Sequence, residues 1–284
     1  MKTNNELSFI QPKDLRIFHS EATPRKNNLR IHYHTMIELS LILRGRGLYR
    51  IGENVLEIKP NDVFFFRPNE AHCITDIHEG GMLLLNLHIS PLYLYSNLQN
   101  ALRSDYIKIL SANYPLKSNK LNDSIPEAEL EKIRHLLKES FEEYEAKKSD
   151  HLTLINNHIS TAFIYLARLC ADKTDRPMQT QNYQRIIASM AYIDENFKED
   201  ITLESLASQS GYSRCYFSSI FKQCLGMSVW DYICIKRVEQ ALSLIKTTDK
   251  SILQIATSCG FNNTVNFNKI FKKYTNLSPS SFRK

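Results

Sequence analysis

The chain runs out of acid before it ends. Asp249 is its last acidic residue, and residues 250–284 hold six Lys and Arg with no Asp or Glu. Glycine is scarce, eight in 284 residues, which excludes a collagen-like or Gly-rich chain. The six cysteines are Cys73, Cys170, Cys215, Cys224, Cys234 and Cys259, and no pair has the two-residue gap of a zinc knuckle. No apolar run approaches the 18 or so residues of a membrane span; 63–66 and 82–85 are the densest and are strand-sized. The opening Met1-Lys2-Thr3-Asn4-Asn5-Glu6 leads into no apolar signal core. The expectation is a cytoplasmic protein with free thiols and no membrane contact.

What is present describes a folded chain. Hydrophobic residues make up 43% and charged residues 23%, close to the globular average. The length suggests about two domains. The net charge of +6 is unevenly placed. From Tyr183 onward there are 13 Lys+Arg against 8 Asp+Glu; the rest of the chain has 23 against 22. A local basic excess suits a polyanionic partner.

Short apolar or alternating runs recur at 37–43, 47–51, 55–58, 63–66 and 82–89. Turn signals separate them, among them Gly52-Glu53-Asn54, Lys59-Pro60-Asn61-Asp62 and Glu79-Gly80-Gly81. This spacing predicts a β sandwich or barrel. After Pro126 the period becomes helical. Leu130, Ile133, Leu137, Phe141 and Tyr144 form one stripe; Leu152, Ile155, Ile159, Ala162, Leu166 and Leu169 form another. These stripes can pack on each other, on the barrel or on a second subunit. Residues 171–184 are polar, contain Pro177 and read as a linker.

The last third repeats itself. Leu206-Ala207 and Ile255-Ala256 each stand four residues before a glycine, Gly211 and Gly260, and an aromatic follows each glycine. Phe217, Ile220, Phe221 and Lys222 then match Phe267, Ile270, Phe271 and Lys272. Each unit reads as a short helix, a turn and a second amphipathic helix, which is a helix-turn-helix. A small alanine suits the helix crossing, and glycine supplies the left-handed turn. Ser213 is placed to cap the second helix of the first unit; Asn262 or Asn263 is placed to cap that of the second. Residues 229–246 predict one longer helix between the units.

With these residues the segment from Arg185 to Lys284 resembles the AraC/XylS family of bacterial transcription regulators. The likeness rests on Gly260-Phe261, Phe267, Phe271-Lys272, Ser278-Pro279 and Phe282-Arg283, supported by Gly226, Tyr232, Arg237 and Ala241. Asn276 departs from the family's usual glycine. The resemblance implies that the helices starting near Ser213 and Asn263 enter the major groove. By position, the base-facing residues are then Cys215, Ser218 and Ser219 in the first, and Thr264, Val265, Asn268 and Lys269 in the second. Asn268 suits adenine, Lys269 guanine and Val265 a thymine methyl. Arg214, Lys222, Lys272 and Lys273 suit phosphate contacts.

The β region carries His32-Tyr33-His34, then Glu38 and Gly45, and later Asp62 and Pro68-Asn69-Glu70-Ala71-His72. This is similar to the two cupin motifs. Many members of the regulator family carry such a barrel as a small-molecule sensor, often for sugars. Arg30, His32, His34, Glu38 and His72 are therefore the candidate pocket residues, Arg30 by sharing strand parity with the two histidines. In metal-dependent cupins the positions matching His32, His34, Glu38 and His72 bind the metal. The expectation here is a polar effector at those groups and no cofactor, with metal at the same four as the alternative.

The predicted architecture is α+β in two domains. Residues 1–125 form a cupin-like double-stranded β-barrel, 126–170 a helical dimerisation or packing segment, 171–184 a linker, and 185–284 an all-α DNA-binding domain with two helix-turn-helix units. The predicted function is a non-enzymatic, effector-responsive transcription regulator, in sense an activator. Its expected partners are double-stranded promoter DNA, a small molecule such as a sugar, a second copy of the chain, and RNA polymerase. A metal-dependent cupin enzyme is the competing reading, and it leaves the doubled helical motif without a role.

Overall fold

The computed structural model describes residues 15–23, 31, 34–78, 80–91, 93–94, 116–168, 180–275 and 277–283. The N-terminal strands are β1 (Leu15–Ala22), β2 (Ile37–Arg44), β3 (Gly47–Ile51), β4 (Asn54–Ile58), β5 (Val63–Phe66), β6 (His72–Ile77) and β7 (Met82–Ile89). They form two antiparallel sheets, one in the order β1-β7-β2-β5 and one in the order β4-β3-β6. Five of the seven strands match the apolar runs. β1 and β6 did not stand out from the sequence.

Strand parity sorts the larger sheet into two buried faces. Ile42, Phe64, Phe66, Met82 and Leu84 point inward and share a core with Tyr49, Ile51, Ile58 and Ile77 of the smaller sheet. Ile37, Leu39, Leu41, Val63, Phe65, Leu85, Leu87 and Ile89 point the other way. There they meet α1 (Glu127–Ala146) and α2 (His151–Arg168) through Leu130, Ile133, Leu137, Ile155, Ile159 and Phe163. The two helical stripes therefore cover the sheet. Both faces of β5 are buried, which explains its unbroken Val-Phe-Phe-Phe.

Buried Arg134 ties α1 to the turn before β5. Its Nε donates to the Asn61 carbonyl at 2.7 Å, and its Nη1 donates to Glu127 and Glu131. Asp62 is a scaffold residue: it accepts from the Lys59 amide at 2.9 Å and pairs with the Lys120 ammonium at 2.7 Å.

The C-terminal helices are α3 (Thr180–Asn196), α4 (Leu203–Gln209), α5 (Arg214–Leu225), α6 (Val229–Thr247), α7 (Ile252–Ser258), α8 (Thr264–Thr275) and α9 (Pro279–Arg283). Helix α3 begins inside the segment read as a linker. The two units repeat in detail. Ala207 and Ala256 are buried where the helices cross, and Phe217, Phe221, Phe267 and Phe271 have no exposed surface. The amides of Tyr212 and Phe261 donate to the carbonyls of Ala207 and Ala256 at 2.9 and 3.0 Å. Ser213 caps α5 through the Tyr216 amide, and Asn263 Oδ1 caps α8 through the Asn266 amide.

Helix α6 is held along its length. Tyr232 donates to Asp194, Lys236 pairs with Asp194 at 3.0 Å, and Arg237 donates to the carbonyls of Phe197 and Glu199. A connector fixed this firmly sets α5 and α8 relative to each other.

Candidate functional site

Two sets of side chains stand out. The first lies on α5 and α8. In each, the phenylalanines turn inward, so the residues between them turn to solvent. Arg214, Cys215, Ser219 and Lys222 are exposed on α5, with Ser218 half-buried. Val265, Asn268, Lys269, Lys272 and Lys273 are exposed on α8, with Thr264 half-buried. Val265 is 78% exposed, although an isolated apolar residue gains nothing from water. The sequence-predicted readers thus share the outer faces of the two second helices.

Two of the predicted phosphate cations already have partners. Arg214 pairs with Glu204 at 2.7 Å, both well exposed. The Lys273 ammonium lies 2.8 Å from Asp231 Oδ1 at the start of α6, and Tyr274 also donates to that oxygen. Burial alone would raise the Asp231 carboxyl. Hydrogen bonds from Lys273, Ser228 and Tyr274 outweigh it and hold the carboxyl at about 2.

A carboxyl held below its unfolded value stabilises the fold above that value and stops doing so as pH falls. Asp231→Asn is accordingly expected to cost about 1 kcal/mol near neutral pH, after allowing for solvent screening of an exposed partner. The gap between variant and wild-type unfolding curves should close as pH drops from about 4 toward about 2. A gap that stays constant with pH would contradict this role.

The second set lies on the inner face of the larger sheet. Glu38 and His88 are direct cross-strand neighbours on β2 and β7, and Ser40 and Asn86 are the next inward pair. The smaller sheet contributes His72, and His34 precedes β2. Glu38 Oε2 lies 2.9 Å from His34 Nε2, 3.1 Å from His88 Nε2 and 3.2 Å from His72 Nε2. All four residues are buried. Ser40 donates to Asn86 Oδ1 at 2.8 Å.

Burial opposes charge on His34, Glu38 and His88. At Glu38 the three imidazoles outweigh it and hold the carboxyl well below the usual carboxylate range. Burial lowers His88 despite Glu38, whereas donating a hydrogen bond to the Glu38 carboxylate leaves His34 raised in spite of its burial.

The structure thus brings His34, Glu38 and His72 together. Arg30 and His32 lie outside the described residues. His88 was missed as a site residue, because its facing could not be decided from an apolar strand. Its pairing with Glu38 decides it.

Next to this cluster the two halves of the chain touch. The Thr35 amide and hydroxyl donate to Glu239 Oε1 at 3.2 and 3.1 Å, and both residues are buried. Glu239 lies on α6, the connector between the helix-turn-helix units. The contact spans 204 positions in sequence, so no local pattern announces it.

Comparison with known proteins identifies both halves of the chain. Residues 15–157 match the AraC-like ligand binding domain, and residues 206–284 match a helix-turn-helix domain. The melibiose operon regulatory protein of Escherichia coli K12 is 25% identical over 258 residues, covering 89% of this chain and 83% of that protein. The HTH-type transcriptional activator RhaR of Pectobacterium carotovorum is 26% identical over 257 residues, covering 89% and 85%. Among solved structures, unsaturated fatty acid-bound ToxT from Vibrio cholerae shares the fold with a TM-score of 0.58. It covers 95% of each chain at 15% identity.

Proposed function

The chain belongs to the AraC family of transcription regulators, and from that premise we propose that it activates transcription at specific promoters in response to a carbohydrate effector. The observation that carries the DNA-binding part is the doubled scaffold. One continuous buried core, built from two repeated units, presents two exposed helix faces joined by one anchored connector. Helices α5 and α8 then read two successive major grooves, about 34 Å apart on one side of the duplex. Thr264, Val265, Asn268 and Lys269 supply most of the base contacts. Cys215, Ser218 and Ser219 are short and read through water. Lys222 and Lys272 hold phosphates.

A sugar suits the pocket better than an acyl chain. The inner groups Glu38, Ser40, His72, Asn86 and His88 offer hydrogen bonds where a fatty acid would need apolar walls. The working form is a homodimer that also contacts RNA polymerase. It is not an enzyme.

Thr35 carries the signal. It adjoins His34 of the pocket and holds Glu239 of the DNA-binding half. An effector that binds one domain arrangement more tightly shifts the population of arrangements. Glu239→Gln keeps the shape and weakens the acceptor of two donors. It is expected to narrow the difference between effector-free and effector-bound affinity for promoter DNA by about five-fold. Gel-shift titrations with and without effector measure this; an unchanged difference would remove Thr35–Glu239 from the signalling route.

A further inference from the structure

We propose that Asn182 and Tyr216 form an uncharged docking site for one phosphate of the DNA backbone, beside the groove that α5 enters. The site rests on the DNA-binding reading and adds a contact outside the predicted base readers and cations.

The first turn of α3 lies against the start of α5. The Tyr212 hydroxyl donates to Asn182 Oδ1, and Asn182 Nδ2 donates to the Tyr216 hydroxyl oxygen at 3.3 Å. The two tyrosine rings meet edge-on, with centres 5.0 Å apart. Arg185, one turn on along α3, places its guanidinium 4.9 Å from the centre of the Tyr212 ring and donates to the Ser210 carbonyl at 3.0 Å.

Counting protons carries the inference. A phenol has one O–H to give, and a side-chain amide has two N–H donors. Tyr212 spends its proton on the amide oxygen. Tyr216 accepts from the amide and keeps its own proton. Among the described residues, Asn182 likewise keeps its second amide N–H. Two uncharged donors therefore stand side by side, and Tyr216 is 48% exposed. Accepting a hydrogen bond also polarises the phenol and strengthens it as a donor. The matching group is one that only accepts, and the unesterified oxygens of a phosphodiester do. Arg185 sets a positive charge behind the pair, which favours an anion over a neutral carbonyl.

The position fits the edge of a groove. Phe217, Ile220 and Phe221 are buried, so Cys215, Ser219 and Lys222 centre the exposed face of α5. Tyr216 lies on the flank of that face, on the side of α3. A helix in the major groove is bordered by the phosphate strands, and side chains on its flanks meet them. The other flank carries Arg214, already paired with Glu204. Asn182 stands in the segment read from sequence as a linker, so docking also seats the end of that segment on the DNA.

The test titrates labelled duplexes with the full chain and reads fluorescence anisotropy over a range of salt. One duplex is an operator fragment from the source genome, the other a random sequence. Tyr216→Phe removes one O–H. It should weaken both duplexes about ten-fold and leave the logarithmic salt slope unchanged, because no charge is lost. Asn182→Asp still accepts from both hydroxyls but takes up the Tyr216 proton and adds a negative charge. It should weaken both duplexes further. Tyr192→Phe, at an exposed tyrosine elsewhere on α3, should change nothing. Thermal unfolding of the same variants separates docking from packing. Unchanged DNA affinity in Tyr216→Phe would overturn the site. So would a loss confined to the operator, which makes Tyr216 a base reader. A loss that tracks a fall in melting temperature would overturn it too, leaving a structural latch. If the wild-type chain holds neither duplex, the DNA-binding reading fails and the site falls with it. If it holds both and Tyr216→Phe matches it, only the site is removed.

Discussion

Gly260→Ala is expected to collapse the second helix-turn-helix unit. Gly260 has a φ of +84°, and a Cβ there would drive into the Lys198 backbone, 2.8 Å from both its Cα and its carbonyl carbon. Backbone cannot rotate away as a flexible side chain can. The left-handed conformation alone costs a non-glycine residue about 1 kcal/mol. With the clash, the cost rises to about 3 kcal/mol or more. Gly226 is the control. It is also left-handed, at +69°, yet nothing lies within 4 Å of its would-be Cβ, so Gly226→Ala should cost only about 1 kcal/mol. Chemical denaturation should separate the two variants clearly. Specific DNA affinity should fall about 100-fold in Gly260→Ala, equivalent to about 2.7 kcal/mol, and only slightly in Gly226→Ala. Equal effects would mean that the close approach of the Gly260 turn to Lys198 is unimportant.

Asn268→Ala should lower affinity for a specific operator by about 1–3 kcal/mol while leaving random DNA nearly untouched. The side chain is exposed on α8, one turn after Val265 and beside Lys269. Its removal deletes a bidentate partner for adenine without disturbing the buried phenylalanines. Lys272→Ala should behave differently. It should weaken all DNA alike and flatten the logarithmic salt slope by about 0.9, the signature of one lost phosphate contact. If Asn268→Ala weakens operator and random DNA equally, Asn268 reads no base.

The helical half was legible because its information is written twice. Ala207 and Ala256, Gly211 and Gly260, and the paired phenylalanines recur in register, and no single tertiary contact is needed to see them. The helices over the sheet showed for a similar reason: each needs only one apolar stripe. The strands β1 and β6 were less visible. β1 buries only Leu15 and Ile17, too few for an alternation to register. β6 places His72 and Cys73 side by side in the interior, which breaks the period of two. β7 hides its own facing, because an apolar run buried on both sides loses its parity; only the pairing of Glu38 with His88 restores it. Thr35 and Glu239 come together through the tertiary fold and leave no trace in local sequence. His34, Glu38 and His72 were legible as a motif, but their shared carboxylate oxygen was not.

The central claim, specific promoter recognition, is tested most directly by incubating the purified full chain with fragmented DNA from its source genome. Fragments retained at moderate salt are then sequenced, with and without a panel of sugars. The account predicts a few intergenic fragments sharing one motif, with two half-sites about one helical turn apart. Uniform retention of all fragments, or none under any condition, would contradict it.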